Sequence, residues 1–451
     1  MHMTSKLAKL GLFDAMVPRY TSYPTAPQFK PETGSAQMER WIRAIPPGSQ
    51  ISLYLHIPFC RRLCWFCACR TQGTQTLSPV AGYLDTLIQE IEMLGHLLPE
   101  GVTLSRMHWG GGTPTLLSPP MIAELAQAVR QVAPLAERAE FSVEIDPNEI
   151  DSERVDALAA AGMNRASIGV QDFDPEVQNT IGRIQDFKVT QQAANMLRDV
   201  GITSLNADIL YGLPHQTEAR IADSVQKLLT LNPDRVALYG YAHVPWMARR
   251  QSMIPSDALP APERRLNLFD TAARLFEWDG YRQIGIDHFA VPQDGLAIAA
   301  QSGQLRRNFQ GYTDDPAEVL VGLGASAISR FPQGYAQNAS ATSAYAKAIQ
   351  GARFATARGH SFAGEDLLRA RLIEAVMCDF EVRFDDIAER FPHGVARVAE
   401  LLQSAADHFG EMVQLADTGL RIRPQGRPLT RIIARFFDAY DMSGAGHASA
   451  I

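Results

Sequence analysis

The sequence predicts an α/β protein built on a parallel sheet, and three observations carry that expectation. First, six short β-type runs alternate with amphipathic helical stretches between residues 51 and 243. Alternation of this kind implies parallel strands joined by crossover helices. Second, the 451 residues are 46% hydrophobic and 20% charged, enough to bury a large core and too many for one ordinary domain of about 150 residues. Third, each run begins apolar and ends in unusual polar or glycine residues. Parallel α/β barrels build their sites at that C-terminal end of the strands.

The elements follow in order. Ile51–Pro58 (ISLYLHIP) reads as the first strand and Pro79–Leu98 as the helix after it. Met107–Gly110, Glu140–Ile145, Arg165–Val170, Leu205–Tyr211 and Arg235–His243 are the next five strands. The helices between them are Pro120–Ala136, Asp151–Ala161, Val189–Val200 and Ile221–Leu231. Beyond His243 the alternation weakens. Pro260–Trp278 is helical, Tyr281–Phe289 reads as one more strand and Arg307–Thr313 as a loop, before the Gly- and Ala-rich Val319–Ile328. From about Gly359 the character changes to helices, at Glu365–Phe380, Phe384–Phe391, Val395–Phe409 and Leu429–Tyr440. A hairpin at Met412–Ile422 turns at Asp417-Thr418-Gly419. The expected organisation is an N-terminal arm and helix over 1–47, the sheet domain with its extension over 48–340, and a mainly helical, winged-helix-like domain over 359–451.

Charge and cysteine content narrow the function. Lys and Arg number 42 against 49 Asp and Glu, for a net charge of −7. A general nucleic-acid binder is usually basic. From Ser361 onward there are 10 Lys and Arg against 14 Asp and Glu, which argues against a DNA regulator built on the C-terminal domain. No run approaches the roughly 18 apolar residues that would span a bilayer. Met1–Met16 has no uninterrupted apolar core, so a soluble cytoplasmic protein is expected. Five cysteines are an odd number, and Cys60, Cys64, Cys67 and Cys69 fall within ten residues. In a reducing compartment such a cluster binds metal or does redox work.

The segment from Tyr54 reads YLHIPFCRRLCWFCAC. Thiolates are the soft ligands that iron–sulfur clusters require. Three close cysteines hold three irons of a [4Fe–4S] cube and leave the fourth open to a chelating ligand. The alternative is a zinc knuckle completed by Cys69 or His56.

The C-x3-C-x2-C spacing, with Phe66 before the last cysteine, resembles the radical S-adenosylmethionine (SAM) superfamily. That resemblance implies a partial (β/α)6, TIM-like barrel, with SAM bound to the open iron and cleaved to a 5′-deoxyadenosyl radical. Gly110-Gly111-Gly112-Thr113-Pro114 matches the family's glycine-rich motif beside the SAM methionyl group. Within the superfamily, PRYTSYPTA at Pro18–Ala26, HWGGGTPT at His108–Thr115, GVQDF at Gly169–Phe173, DILYGLP at Asp208–Pro214, YAHVP at Tyr241–Pro245 and DHFA at Asp287–Ala290 together resemble the oxygen-independent coproporphyrinogen III oxidases.

The resemblance implies oxidative decarboxylation of the ring A and B propionates of coproporphyrinogen III to the vinyl groups of protoporphyrinogen IX. A radical would remove a β-hydrogen, and loss of CO2 and an electron would follow. It also implies a low-potential electron donor, a terminal electron acceptor and a monomer. Carried over by position, Cys60, Cys64 and Cys67 hold the cluster, and Tyr54, Gly111 and Glu144 lie near the cluster-bound SAM. Phe66, Gly112, Thr113, Gln171, Arg183, Asp208, Ala242 and Ile328 match the combined pocket for two SAM molecules. Rival readings in the same branch are a haem chaperone and an anaerobic haem-degrading methyltransferase.

Two departures stand out: Ala68 where the family commonly has glycine, and Val291 where relatives carry arginine, one cation fewer for a tetracarboxylate. Arg19, Tyr20 and Tyr23 either close over the substrate or dock the arm. Arg249–Arg250, Arg306–Arg307 and the run Arg421, Arg423, Arg427, Arg431 and Arg435 are further basic candidates, the last run more readily read as a solvated face. His243 and His288 either shuttle protons or are structural.

Overall fold

The structure, a computed structural model, describes residues 2–441 and 449–451. Met1 of the expected arm and residues 442–448 of the expected C-terminal domain lie outside the described residues. All six expected strands form: β1 (Gln50–Ile57), β2 (Thr103–Gly111), β3 (Leu135–Ile145), β4 (Arg165–Gln171), β5 (Ser204–Tyr211) and β6 (Arg235–Gly240). They pair in sequence order, all parallel. The helices between them are α1 (Ser78–Gly95), α2 (Pro119–Val132), α3 (Ser152–Ala160), α4 (Phe187–Asp199) and α5 (Glu218–Leu229). Side-chain caps set where several begin: Asp151 accepts from the Arg154 amide, Asp186 from Lys188 and Thr217 from Arg220.

Each strand sends apolar residues outward against these helices and polar ones inward at every second position. Register aligns the inward residues in layers. Ser52, Arg106 and Glu140 form one row, Tyr54, His108 and Ser142 the next, and Glu144, Ser167 and Asn206 another. The sheet is curled. Arg106 on β2 and Arg235 on β6 lie 2.6 and 3.8 Å from the same carboxylate, Asp314. In a flat sheet four strand spacings would hold those strands about 19 Å apart.

The sheet extends to twelve strands at its two edges. Beside β6 the expected single strand Tyr281–Phe289 is two, β7 (Arg282–Ile284) and β8 (His288–Ala290), because Gly285 turns the chain at φ +55°. Beside β1 lie β9 (Leu320–Leu323), β10 (Ile328–Phe331), β11 (Gly334–Asn338) and β12 (Thr356–Ser361), so the sheet runs to Ser361. The segment expected as a loop, Arg307–Thr313, is a ribbon of Arg306–Asn308 against Gly311–Thr313.

A second core gathers the C-terminal helices, including α6 (Asp366–Asp379), α7 (Val395–Phe409) and α8 (Thr430–Phe437). The expected hairpin is present, and Glu381–Arg383 adds a third strand to it. Leu7, Leu12, Tyr20 and Tyr23 of the N-terminal arm belong to this core. Tyr20 donates to Asp438 at 3.0 Å, and Tyr23 accepts from the Ala439 amide at 3.0 Å. These two tyrosines therefore anchor the arm and are not the pyrrole-stacking groups of the alternative reading.

Candidate active site

Cys60 ends a short strand after β1 that pairs with Gln72–Gly73. The loop it begins is clasped from two sides. The Trp65 amide donates to the Ile181 carbonyl at 2.9 Å. Gln251 Nε2 donates to the Phe66 and Ala242 carbonyls at 2.7 and 3.0 Å, tying the loop to the end of β6. Cys60, Cys64 and Cys67 are half-buried free thiols, Cys69 is exposed, and Cys378 is buried elsewhere.

Burial pushes the Cys60 thiol up to about 11 and raises that of Cys64, while a hydrogen bond with Cys69 holds Cys67 down at about 6. Loading iron on these groups therefore releases protons. A zinc knuckle needs four donors about one point. Three thiols spread along a loop suit the separate irons of a cluster.

The glycine motif passes beneath that loop. Gly112 and Thr113 donate to the Ile57 and Phe59 carbonyls at 2.8 and 2.7 Å. A Cβ on Gly111 (φ +110°) would stand 2.4 Å from His56, and one on Gly112 would stand 2.5 Å from the Phe59 carbonyl oxygen. The protein's own packing thus requires these glycines, beyond any approach of a ligand. The Gly111 amide is already committed, donating to Glu144 Oε2 at 2.9 Å.

Inside the barrel Tyr54 stacks on His108, with ring centroids 5.7 Å apart, and its hydroxyl bonds His56 Nδ1 at 2.9 Å. His108 bridges Ser142 and Glu144. Burial raises the Glu144 carboxyl, but His108 and the Gly111 amide outweigh it and hold the group low. Asp208 is less well compensated, because burial and a neighbouring carboxylate raise it by more than His288, Asn206 and His108 lower it. Burial and the Glu144 charge push it up to about 6, with Asn206 donating to it at 3.1 Å. His108, Ser142 and Gln251 were missed in the sequence; the period-2 polar pattern of the strands marks the first two, and nothing local marks Gln251.

Arg183 sits between the cysteines and β4. It reaches Cys64 Sγ at 3.5 Å, Asp146 at 3.3 Å and the Gly169 carbonyl at 2.9 Å, and its buried Nε has no partner. A buried unpartnered guanidinium N–H on a side chain that reaches Cys64 fits an anionic cofactor group such as the SAM carboxylate. Gln171 ends β4 with φ +69°, turning the chain sharply. Phe66 packs with Val177, Ile181 and Tyr241. Ile328, half-buried, opens β10 on the far side of β1.

A cavity of about 950 Å³ opens beside Ala242, between the ends of β5 and β6 and the C-terminal helices. Arg19, Arg265, Arg427 and Arg431 line it, with Tyr211 and Phe269. Arg19 donates to the Gly240 carbonyl at 2.6 Å and Arg265 to that of Tyr241 at 2.7 Å. Arg431 donates only to carbonyls, those of Val17, Pro18, Ser449 and Ala450. Burial beside Arg19 lowers the Arg431 pKa, so this residue departs from the solvated face expected for its run. Arg421 is exposed and pairs with Glu381. Arg249 is exposed and Arg306 half-buried, and neither lines the cavity; Arg307 lies over the Tyr312 ring at 4.3 Å. His288 is tied to Asp287 at 2.7 Å and His243 to the Tyr241 hydroxyl at 2.9 Å. Val291 follows Ala290, which pairs with Arg235 at the start of β6, so its side of the barrel is the end away from the cavity.

Three thiols on the loop after the first strand of a curled parallel sheet, with a glycine turn beneath and acids inside, define a class: a radical SAM protein. A family model described as the radical SAM superfamily matches residues 54–228. An oxygen-independent coproporphyrinogen III oxidase of Paracoccus denitrificans is 64% identical over all of both chains. One of Cereibacter sphaeroides is 58% identical over 98% of this chain and 99% of that one. A solved structure of the Escherichia coli coproporphyrinogen III oxidase, HemN, described as a radical SAM enzyme, superposes with a TM-score of 0.89 at 36% identity, covering 95% of this chain and 100% of that one. The chain belongs to the oxygen-independent coproporphyrinogen III oxidase family.

Proposed function

We propose that this chain converts coproporphyrinogen III to protoporphyrinogen IX without oxygen, turning the ring A and B propionates into vinyl groups and releasing two molecules of CO2. The full-length relatives support the reaction. The observation that carries the substrate reading is the 950 Å³ cavity, whose arginines Arg19, Arg265 and Arg431 bind carbonyl oxygens and no carboxylate. Glu218, Asp270, Glu277 and Asp287 also line the cavity but form no ion pair with these arginines among the described residues, so the carboxylates of an amphipathic tetra-anion suit them, and Tyr211 and Phe269 supply apolar walls for its pyrrole rings.

Cys60, Cys64 and Cys67 hold a [4Fe–4S] cluster. Tyr54, Gly111 and Glu144 face the SAM on that cluster. Phe66, Gly112, Thr113, Gln171, Arg183, Asp208, Ala242 and Ile328 complete a pocket with room for a second SAM. When bound, the cluster and SAM supply a 5′-deoxyadenosyl radical, which breaks a C–H bond that acid–base chemistry does not reach. The chain's own residues bind and orient. Arg183 meets the SAM carboxylate, the arginines fix the propionates, and the arm and C-terminal helices keep water from the reacting carbon.

A low-potential donor outside the chain supplies the electron, and an acceptor takes the one left on the decarboxylated product. We read the chain as a monomer, and its odd number of cysteines, four of them clustered within ten residues, favours a reducing, cytoplasmic setting. Anaerobic reconstitution with iron and sulfide, followed by SAM, reductant and coproporphyrinogen III, is expected to yield 5′-deoxyadenosine and a tetrapyrrole with two fewer carboxyl groups. Cys64→Ser is expected to lose both products. Stoichiometric haem binding without decarboxylation would instead assign the chaperone function.

A further inference from the structure

The cavity at the ends of β5 and β6 holds a group that binding of an anion does not explain. Asp287 stands immediately before β8, and its carbonyl accepts from the Leu238 amide of β6 at 2.8 Å, which fixes it beside that strand. Its side chain lines the cavity and is 14% exposed. Oδ1 accepts from His288 Nδ1 at 2.7 Å, and the His288 ring packs edge-to-face with those of Tyr239 and Tyr312. Oδ2 stands 3.9 Å from Arg307 Nη2 and, among the described residues, receives no hydrogen bond.

Asp270 and Glu277 line the same cavity but are exposed on the helix Pro262–Trp278, where water solvates them. Asp287 lies deeper. Burial raises its carboxyl, but His288, Arg307 and Arg19 outweigh burial and hold it below the ordinary carboxylate range. It is an ionised acceptor with one oxygen committed and the other open. Such a group repels propionates, so towards a plain tetra-anion it would only weaken binding. It favours a ligand that also presents donors. The centre of a porphyrinogen does so. All four of its pyrroles keep their N–H, and the sp3 carbons that link them let the rings tilt until those groups converge on one side. The oxidised porphyrin is flat, and two of its ring nitrogens turn lone pairs to the centre, where they repel an anion.

We propose that Asp287 accepts hydrogen bonds from the pyrrole N–H groups of the macrocycle and so makes the site selective for the reduced, porphyrinogen state. The inference rests on the coproporphyrinogen reading of the cavity and adds to it the residue that senses the oxidation state of the ring. Arg19, Arg265 and Arg431 hold the propionates at the periphery, Tyr211 and Phe269 meet the ring faces, and Asp287 meets the centre. His288 fixes the orientation of the carboxylate from behind. Hydrogen bonds to an ionised acceptor are about twice as strong as neutral ones. A site built to meet donors rejects an analogue that lacks them, because its own acceptor is then left desolvated and unpaired. No bond is made or broken in this step; the discrimination is one of binding.

The test uses the reconstituted holoenzyme without SAM, so that nothing turns over, and reads binding by anaerobic equilibrium dialysis in the dark. Coproporphyrinogen III and coproporphyrin III are the probes, and every sample is oxidised to porphyrin before its fluorescence is read. The parent is expected to bind the porphyrinogen roughly tenfold more tightly than the porphyrin. In Asp287→Asn that preference is expected to vanish through weaker porphyrinogen binding, with the porphyrin bound no more weakly than by the parent. Asp270→Asn removes the same charge from the exposed rim and is expected to keep the parent's preference. Equal weakening of both macrocycles in Asp287→Asn would make the residue a structural tie for His288 and Arg307. Equal tightening of both would make it no more than a repelling charge. Either result overturns the proposal. A parent that binds the porphyrin as tightly as the porphyrinogen overturns it without any variant. Binding of neither macrocycle by the parent would count against the coproporphyrinogen reading itself, and the inference would fall with it.

Discussion

At the N-terminal mouth of the barrel every arginine has carboxylates. Arg106 meets Glu140 and Asp314 at 2.6 Å, Arg165 meets Glu140 at 2.8 Å, and Arg235 meets Asp294 at 2.6 Å. Asp315 completes the set from beside Ser52 and Ser105. At the C-terminal mouth Arg19, Arg265 and Arg431 bind backbone carbonyls only. The same side chain thus closes one end and leaves the other charged. A buried ion is tolerated when its counter-ions fold with it, as at the first mouth. At the second, part of the counter-charge has to arrive with a ligand. Between these two mouths, the paired charges close the fold and the unpaired ones are left for a ligand.

The largest expected effect breaks the closed end. Arg106→Leu leaves Glu140, Asp314 and Asp315 facing one another without their shared cation. We expect a loss of about 3–5 kcal/mol, read from chemical unfolding of the variant beside its parent. Little change there would mean that the network is hydrated and not a plug.

At the open end the expectation reverses. Arg265 has a buried Nε without a partner, and burial lowers its pKa. Arg265→Met should therefore change stability by less than about 1 kcal/mol. It should raise KM for coproporphyrinogen III roughly tenfold with kcat nearly unchanged, the signature of lost uniform binding. A fall in kcat alone would move Arg265 from binding to the reaction.

The smallest effect concerns pH. Asp208 has its folded pKa raised to about 6, against an ordinary 3.8. The folded state then holds a proton that the unfolded chain has lost. Asp208 therefore costs stability as pH climbs from about 4 through 6, and that cost persists above. Asp208→Asn, without SAM, should remove this dependence and gain on the order of 1 kcal/mol at pH 8 relative to pH 4, measured by thermal unfolding across pH. A parallel pH course in parent and variant would show Asp208 to be solvated.

Much of this was readable in one dimension. The six strands and the helices between them follow from periodicity and caps, which act within a few residues. The cysteine spacing names its chemistry because all three donors lie on one short loop. Val291 and Tyr20 show where such reading fails. The missing cation at 291 matters only if that strand end faces substrate, and β8 runs antiparallel to β6, which puts it at the other mouth. Tyr20 lies beside Arg19, yet its hydroxyl is buried on Asp438, far along the chain.

The amino-acid order alone determined the alternating βα units, the thiol loop and the glycine turn beneath it, because hydrophobic period, turn chemistry and ligand spacing are local. Only the tertiary structure decided which arginines are neutralised and which wait for an anion. Asp294, Asp314 and Asp315 reach the first mouth from segments far from its strands, and the second is walled by helices from the other end of the chain. A charge is balanced by what folding brings near it in space, and sequence neighbours do not reveal that.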